Sequence, residues 1–107
     1  ENNINGRGVY LWSDGRKYYG EWLNNFMHGW GVYIYSDGVR YNGQFLNDKK
    51  QGYGIYTWTD GRRYEGYWYK GKQHGIGTYF DAKKKGGKQG LWEVSKRVMW
   101  FEEADIS

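Results

Sequence analysis

The stretch Gly6-Arg7-Gly8-Val9-Tyr10-Leu11-Trp12-Ser13-Asp14-Gly15-Arg16-Lys17-Tyr18-Tyr19-Gly20-Glu21-Trp22 decides how the chain is read, because its frame of glycines and rings returns twice. The second copy carries Gly29, Gly31, Tyr33, Tyr35, Asp37, Gly38, Tyr41, Gly43 and Phe45; the third carries Gly52, Gly54, Tyr56, Trp58, Asp60, Gly61, Tyr64, Gly66 and Trp68. The copies stand 23 residues apart, and a fixed period of this size marks a repeat architecture.

Within a copy, aromatic residues alternate with others at period two and Asp-Gly interrupts them, the pattern of a β-hairpin. Gly8, Tyr10, Trp12, Tyr18, Gly20 and Trp22 are all even-numbered, so one face can present them only if the loop between the strands is odd. A three-residue loop, Asp14-Gly15-Arg16, satisfies this, with glycine free to take positive φ. Between Trp22 and Gly29 the parity changes, and two-residue turns are expected at Asn24-Asn25, Asn47-Asp48 and Lys70-Gly71. These lengths predict Trp12 opposite Tyr18, Tyr10 opposite Gly20, Trp22 opposite Gly8 and Tyr18 opposite Gly31. Nearly every ring would then cover the bare backbone of a glycine across the strand.

After Gly75-x-Gly77-x-Tyr79 the frame decays: Asp81 replaces the second ring, the turn lengthens to Asp81–Gly87, and Lys88 stands near the expected tyrosine. Gly90-Leu91-Trp92 recovers the strand, and Val94-Ser95 can turn into a last strand over Lys96–Phe101. The expected organisation is a single domain with repeats at 6–28, 29–51 and 52–74, a capping repeat at 75–101, and a tail at 102–107 forming a loop or short helix. The chain meets the pattern at a turn, so a fragment of a longer array is expected. The fold expected is all-β: an elongated, single-layer, twisted antiparallel sheet of stacked hairpins, roughly 40 Å long at ~4.8 Å per strand. A single layer cannot hide both faces, so a partner is expected on at least one side.

Aromatics are 21% of the residues and glycines number 18, so the core must be rings on glycines. With no cysteine there are no disulfides or thiol chemistry, and a reducing, cytoplasmic setting is favoured. No apolar run approaches a membrane span and no signal-peptide pattern opens the chain. The net charge of +4 permits an acidic partner without requiring one.

Tyr64-Glu65-Gly66-Tyr67-Trp68 leading to His74-Gly75-Ile76-Gly77-Thr78-Tyr79, with Asp-Gly between copies, resembles the MORN repeat (membrane occupation and recognition nexus). The likeness covers residues 1 to about 100. It implies an all-β hairpin array with an aromatic-lined groove, usually one module of a larger protein, and a scaffold role near cytoskeleton or membrane. The rings Tyr10, Trp12, Tyr33, Tyr35, Tyr56 and Trp58 are expected first to hold the sheet together and also to wall a groove for a partner helix or peptide. The other face carries Val9, Leu11, Trp30, Val32, Ile34, Tyr53 and Ile55, an apolar stripe suited to a partner or to self-association as a homodimer. From this stripe Trp30, Ile34 and Tyr53 are taken as contact residues.

A second reading places Arg40, Arg62, Arg63, Lys83, Lys84 and Lys85 on a basic turn edge facing an anionic, phosphoinositide-bearing membrane, diluted by Asp14, Asp37 and Asp60. A third, carbohydrate or choline recognition, fits the glycine and aromatic bias but not the 23-residue frame. His28 and His74 lie two repeats apart, ~20 Å by strand spacing, so they cannot share a metal. No nucleic-acid motif, nucleophile elbow, phosphate loop or metal signature appears. The expectation is therefore no enzyme activity, no cofactor and no nucleic-acid partner.

Overall fold

A computed structural model of the chain describes residues 4–83, 86–93 and 96–100. These form nine strands: β1 (Gly6–Leu11), β2 (Lys17–Leu23), β3 (Phe26–Ile34), β4 (Arg40–Leu46), β5 (Lys49–Thr57), β6 (Arg63–Tyr69), β7 (Lys72–Phe80), β8 (Gly87–Glu93) and β9 (Lys96–Trp100). Each pairs antiparallel with the next in one open sheet whose spatial order is its sequence order. The sheet measures 54 × 24 × 19 Å. Strands are present at Gly87–Glu93 and Lys96–Trp100, and Lys88 stands across from Tyr79, the place that Tyr18, Tyr41 and Tyr64 hold in the earlier repeats. The expected tail at 102–107 lies outside the described residues.

The two kinds of reversal differ in chemistry. Asn24-Asn25, Asn47-Asp48 and Lys70-Gly71 are two-residue turns with positive φ at both positions, and Leu23 pairs with Phe26 across the first of them. The Asp-Gly loops hold three residues, but they begin one residue earlier than expected. The Trp12 N–H donates to the Arg16 carbonyl at 2.9 Å and Gly15 N–H donates to the Trp12 carbonyl at 3.1 Å, enclosing Ser13-Asp14-Gly15. Gly15 takes φ +100°, the left-handed residue that closes a type I turn of this length.

That displacement corrects the expected register. Tyr10 pairs with Tyr18 and Gly8 with Gly20, while Trp22 faces Gly6. On the other side a bulge intervenes: Glu21 alone on β2 spans His28, Gly29 and Trp30 of β3, and beyond it Gly20 meets Gly31 and Tyr18 meets Tyr33. The same bulge recurs in the next two repeats, with Gly29, Gly52 and Gly75 at positive φ. Trp12 is therefore not opposite Tyr18, nor Tyr10 opposite Gly20, nor Trp22 opposite Gly8, nor Tyr18 opposite Gly31. Instead one unbroken ladder of glycines, Gly8, Gly20, Gly31, Gly43, Gly54, Gly66, Gly77 and Gly90, crosses eight strands.

The rings cover this ladder diagonally. Tyr18, Tyr41 and Tyr64 lie over it and are 0% exposed, and their hydroxyls donate to the carbonyls of Glu21, Gln44 and Tyr67 at 2.9, 2.8 and 3.1 Å. Burial raises the pKa of Tyr41, and that of Tyr18 and Tyr64 to about 12. A flat sheet cannot enclose a tyrosine completely, so the bulged strands must curl around these rings. The rings then stack edge to face in a zigzag through Trp22, Tyr18, Phe45, Tyr41, Trp68, Tyr64, Trp92 and Trp100, with centroids 4.9 to 5.6 Å apart. Such pairs add about 0.5–1.5 kcal/mol each beyond area burial. The sheet thus hides one face largely by itself and leaves the opposite face uncovered.

Candidate functional site

The ring-bearing face is organised around a side chain placed once per repeat just beyond the two-residue turn. Met27, Lys50 and Gln73 stand 23 residues apart, each directly across from a large ring: Trp22, Phe45 and Trp68. Arg97 takes the fourth such place, across from Trp92. The turns align these positions by bonding to one another: Asp48 N–H donates to the Met27 carbonyl at 3.1 Å and Gly71 N–H to the Lys50 carbonyl at 2.9 Å.

Lys50 shows what the environment can hold. Its Nζ lies 5.5 Å from the Tyr35 ring centroid, 5.6 Å from Tyr41, 5.9 Å from Tyr56 and 5.5 Å from Trp68. It also donates to the Tyr35 hydroxyl at 2.7 Å. Burial pushes the amine down to about 8, which leaves it an ammonium at neutral pH. The negative ring faces and one phenol oxygen stand in for the water it has lost. Burial likewise raises the pKa of Tyr35.

The place of Tyr35 is taken by Trp12 one repeat earlier and Trp58 one repeat later. Indole offers no acceptor, and the central side chains there are the uncharged Met27 and Gln73. Met27 is buried and fills its site; Gln73 is half-buried. Hollows open between the rings: about 610 Å³ among Tyr10, Trp12, Trp22, Met27 and Tyr33; about 210 Å³ beside Tyr33, Tyr35, Phe45 and Lys50; and about 350 Å³ among Trp58, Gln73, Tyr79, Trp92, Arg97 and Trp100.

Arginines frame this groove. Arg16 lies 4.8 Å over Trp12 and its Nε donates to both Asp14 oxygens at 3.0 and 2.8 Å, while Nη1 donates to the Tyr33 hydroxyl at 3.0 Å. Arg62 repeats this over Trp58 with Asp60. In the middle repeat Val39 takes the arginine's place and is buried.

The structure brings together Tyr10, Trp12, Tyr33, Tyr35, Tyr56 and Trp58 on this face. Tyr10 is exposed, Tyr33 is buried, and Trp12, Tyr35, Tyr56 and Trp58 are half-buried against the core. Trp30, Ile34 and Tyr53 lie on the other face. There the register sets charged or polar residues between the apolar ones, with Arg40 between Ile34 and Thr57, Asn42 between Val32 and Ile55, and Gln44 beside Trp30. The apolar stripe read along odd-numbered strands is therefore broken through β3 to β5, whereas apolar residues meet on either side: Val9, Tyr19, Trp30 and Val32 form a hollow of about 420 Å³ near β1, Tyr53 packs on Tyr67 with centroids 5.6 Å apart, and Ile76 pairs with Leu91, which pairs with Met99.

Of the basic residues, Arg62 bonds Asp60, and Arg63 pairs with Glu65 while lying 3.8 Å over Phe80. Arg40 and Lys83 are exposed, on the opposite face and in the β7–β8 connection respectively; Lys84 and Lys85 lie outside the described residues. His28 is half-buried in the β3 bulge, and His74 packs its ring against Tyr69. Sequence reasoning did not single out Lys50, Met27, Gln73, Trp92, Arg97 or Trp100. The 23-residue spacing of Met27, Lys50 and Gln73 was visible, but only the register places them under the rings.

A curled sheet of identical hairpins with a ring-lined face defines a repeat module. The MORN repeat model matches residues 1–15, 18–40, 41–62 and 64–83, and the chain belongs to this family. The MORN repeat is a non-enzymatic module, generally one for interaction or membrane association. No curated protein matches the chain.

Proposed function

We propose that this chain is a non-catalytic scaffold that seats a helical or extended segment of a partner protein along its ring-bearing face. The observation that carries the reading is the row of hollows at repeat spacing, walled by half-buried rings whose edges remain open to solvent. Stiff aromatic walls lose little entropy on contact and fill well against apolar anchors spaced along a peptide. The opposite face is less suited in its middle, where Arg40, Asn42 and Glu65 separate its apolar residues. Arg62 and Arg63 are already engaged by Asp60 and Glu65, so the ring face is favoured over the basic edge.

The test is selection of binding peptides from a displayed random library, followed by affinity measurement on two sets of variants. Tyr10→Ala and Trp58→Ala should each weaken binding by tenfold or more. Trp30→Ser and Tyr53→Ser should leave it unchanged. The reverse pattern would move the interface to the opposite face and overturn the reading.

A further inference from the structure

The hollow at the β7–β9 end combines two unmet requirements. Trp58, Tyr79, Trp92 and Trp100 form its walls, with Trp58 and Tyr79 centroids 6.4 Å apart, Tyr79 and Trp100 6.2 Å, and Trp92 and Trp100 5.6 Å. One repeat earlier the equivalent rings hold an ammonium, that of Lys50. Here Gln73 leaves that place uncharged and Trp58 removes the phenol oxygen that accepted the N–H. The rings can still attract a positive charge, but in place of that phenol a primary ammonium would find only the Gln73 amide oxygen and the Tyr79 hydroxyl, which Arg62 already engages. A quaternary ammonium has no N–H to satisfy.

The second requirement is at the mouth. Among the described residues three arginines stack on tryptophans: Arg16 on Trp12, Arg62 on Trp58 and Arg97 on Trp100 at 4.6 Å. The first two are each neutralised by an aspartate of their own turn. Among the described residues Arg97 has no carboxylate partner, and it is exposed. An unpaired guanidinium beside a cage for a cation would repel a simple cation, whereas a ligand that also carries an anionic group would satisfy both.

We infer that this hollow is a binding site for a phosphocholine group, with the trimethylammonium among Trp58, Tyr79, Trp92 and Trp100 and the phosphate on the Arg97 guanidinium. The hollow is one of the three assigned to the peptide groove and shares Trp58 with it, so the two readings are separated by their probes: soluble phosphocholine with Arg97→Gln tests this site, and displayed peptides test the groove.

The test titrates phosphocholine, choline and phosphoethanolamine into the full chain while following tryptophan fluorescence, with far-ultraviolet circular dichroism confirming the fold of each variant. Phosphocholine should saturate the change at least tenfold more tightly than either choline or phosphoethanolamine. Arg97→Gln should reduce phosphocholine to the level of choline and leave choline no weaker. Trp58→Tyr, which restores the phenol of the Lys50 cage, should raise phosphoethanolamine relative to phosphocholine. Phosphatidylcholine vesicles, against phosphatidylglycerol vesicles at equal lipid, distinguish the sources: co-sedimentation assigns a lipid headgroup, and binding of soluble phosphocholine alone assigns a free metabolite. No saturable binding of phosphocholine, or equal affinity for phosphocholine and phosphoethanolamine, would overturn the assignment.

Discussion

The ring of Tyr18 occupies the space that a side chain on Gly31 would need: a Cβ built on Gly31 would sit 2.6 Å from both Cε1 and Cζ of that ring. The two residues are on neighbouring strands and are diagonal, not opposite, since Gly31 pairs with Gly20. Tyr18 cannot retreat, because it is fully enclosed and its hydroxyl is held by the Glu21 carbonyl.

A pair of glycine substitutions in the same ladder should therefore behave oppositely. Gly31→Ala forces a methyl into an immobile ring and should cost about 3 kcal/mol or more, at or above the upper end for overpacking. At Gly8 the nearest atoms to a new Cβ are those of Trp22, at an ordinary 3.6 Å. Gly8→Ala should be neutral or stabilising by up to about 1 kcal/mol, because it restricts the unfolded chain. Urea unfolding of both variants checks this, and equal losses would remove the diagonal-packing account.

The tyrosine hydroxyls that roof the ladder can be weighed separately from their rings. Tyr41→Phe keeps the edge-to-face contacts with Phe45 and Trp68 but leaves the Gln44 carbonyl without its 2.8 Å donor. The expected loss is about 1 kcal/mol. Tyr41→Ala also opens a cavity at the centre of the ring zigzag and should cost about 3–5 kcal/mol. Thermal or denaturant unfolding of the two variants should show this graded order.

The residues that alternate at period two made the faces and the two-residue turns legible, since parity allows no other arrangement of Tyr10, Tyr18 and Tyr33 on one side. Parity could not fix register, because a shift by two residues preserves every face. Two local events set that shift. The Asp-Gly loop begins at Ser13 because Gly15, not Arg16, takes the left-handed conformation, and the bulge at Gly29 inserts two residues that the alternation absorbs silently. The Lys50 cage was hidden for the same reason: its four rings come from β4, β5, β6 and the end of β3, and only the true register converges them.

The third two-residue turn offers a stabilising substitution. Lys70 is held at φ +49°, where its counterparts Asn24 and Asn47 sit at +49° and +48°. Asparagine tolerates this region and Asn-Gly is the favoured pair for such a turn, whereas lysine is strained there. Lys70→Asn gives up an exposed contact of its amine over Tyr69 at 5.3 Å. The net gain should be about 0.5 kcal/mol, seen as a small rise in the urea midpoint with no change in slope.

Lys50 supplies a pH signature. Burial lowers its folded pKa to about 8 from the ordinary lysine value of 10.5, so between these values the unfolded chain holds the proton that the folded chain has released. Stability should accordingly rise as pH increases from about 8 towards 10.5, by about 2 kcal/mol after solvent access to the half-buried amine is allowed for. The tyrosines oppose this at higher pH: Tyr18 and Tyr64 are raised to about 12 from 10.0, so the stability they contribute is present below pH 10 and is lost through pH 12. Wild type should therefore show a stability maximum near pH 10. Lys50→Met, which reproduces the Met27 site one repeat earlier, retains the tyrosine loss but removes the lysine rise. The difference between the two unfolding free energies, measured from pH 7 to 10.5, isolates the amine; a flat difference would mean that the rings stabilise the ammonium as fully as water does.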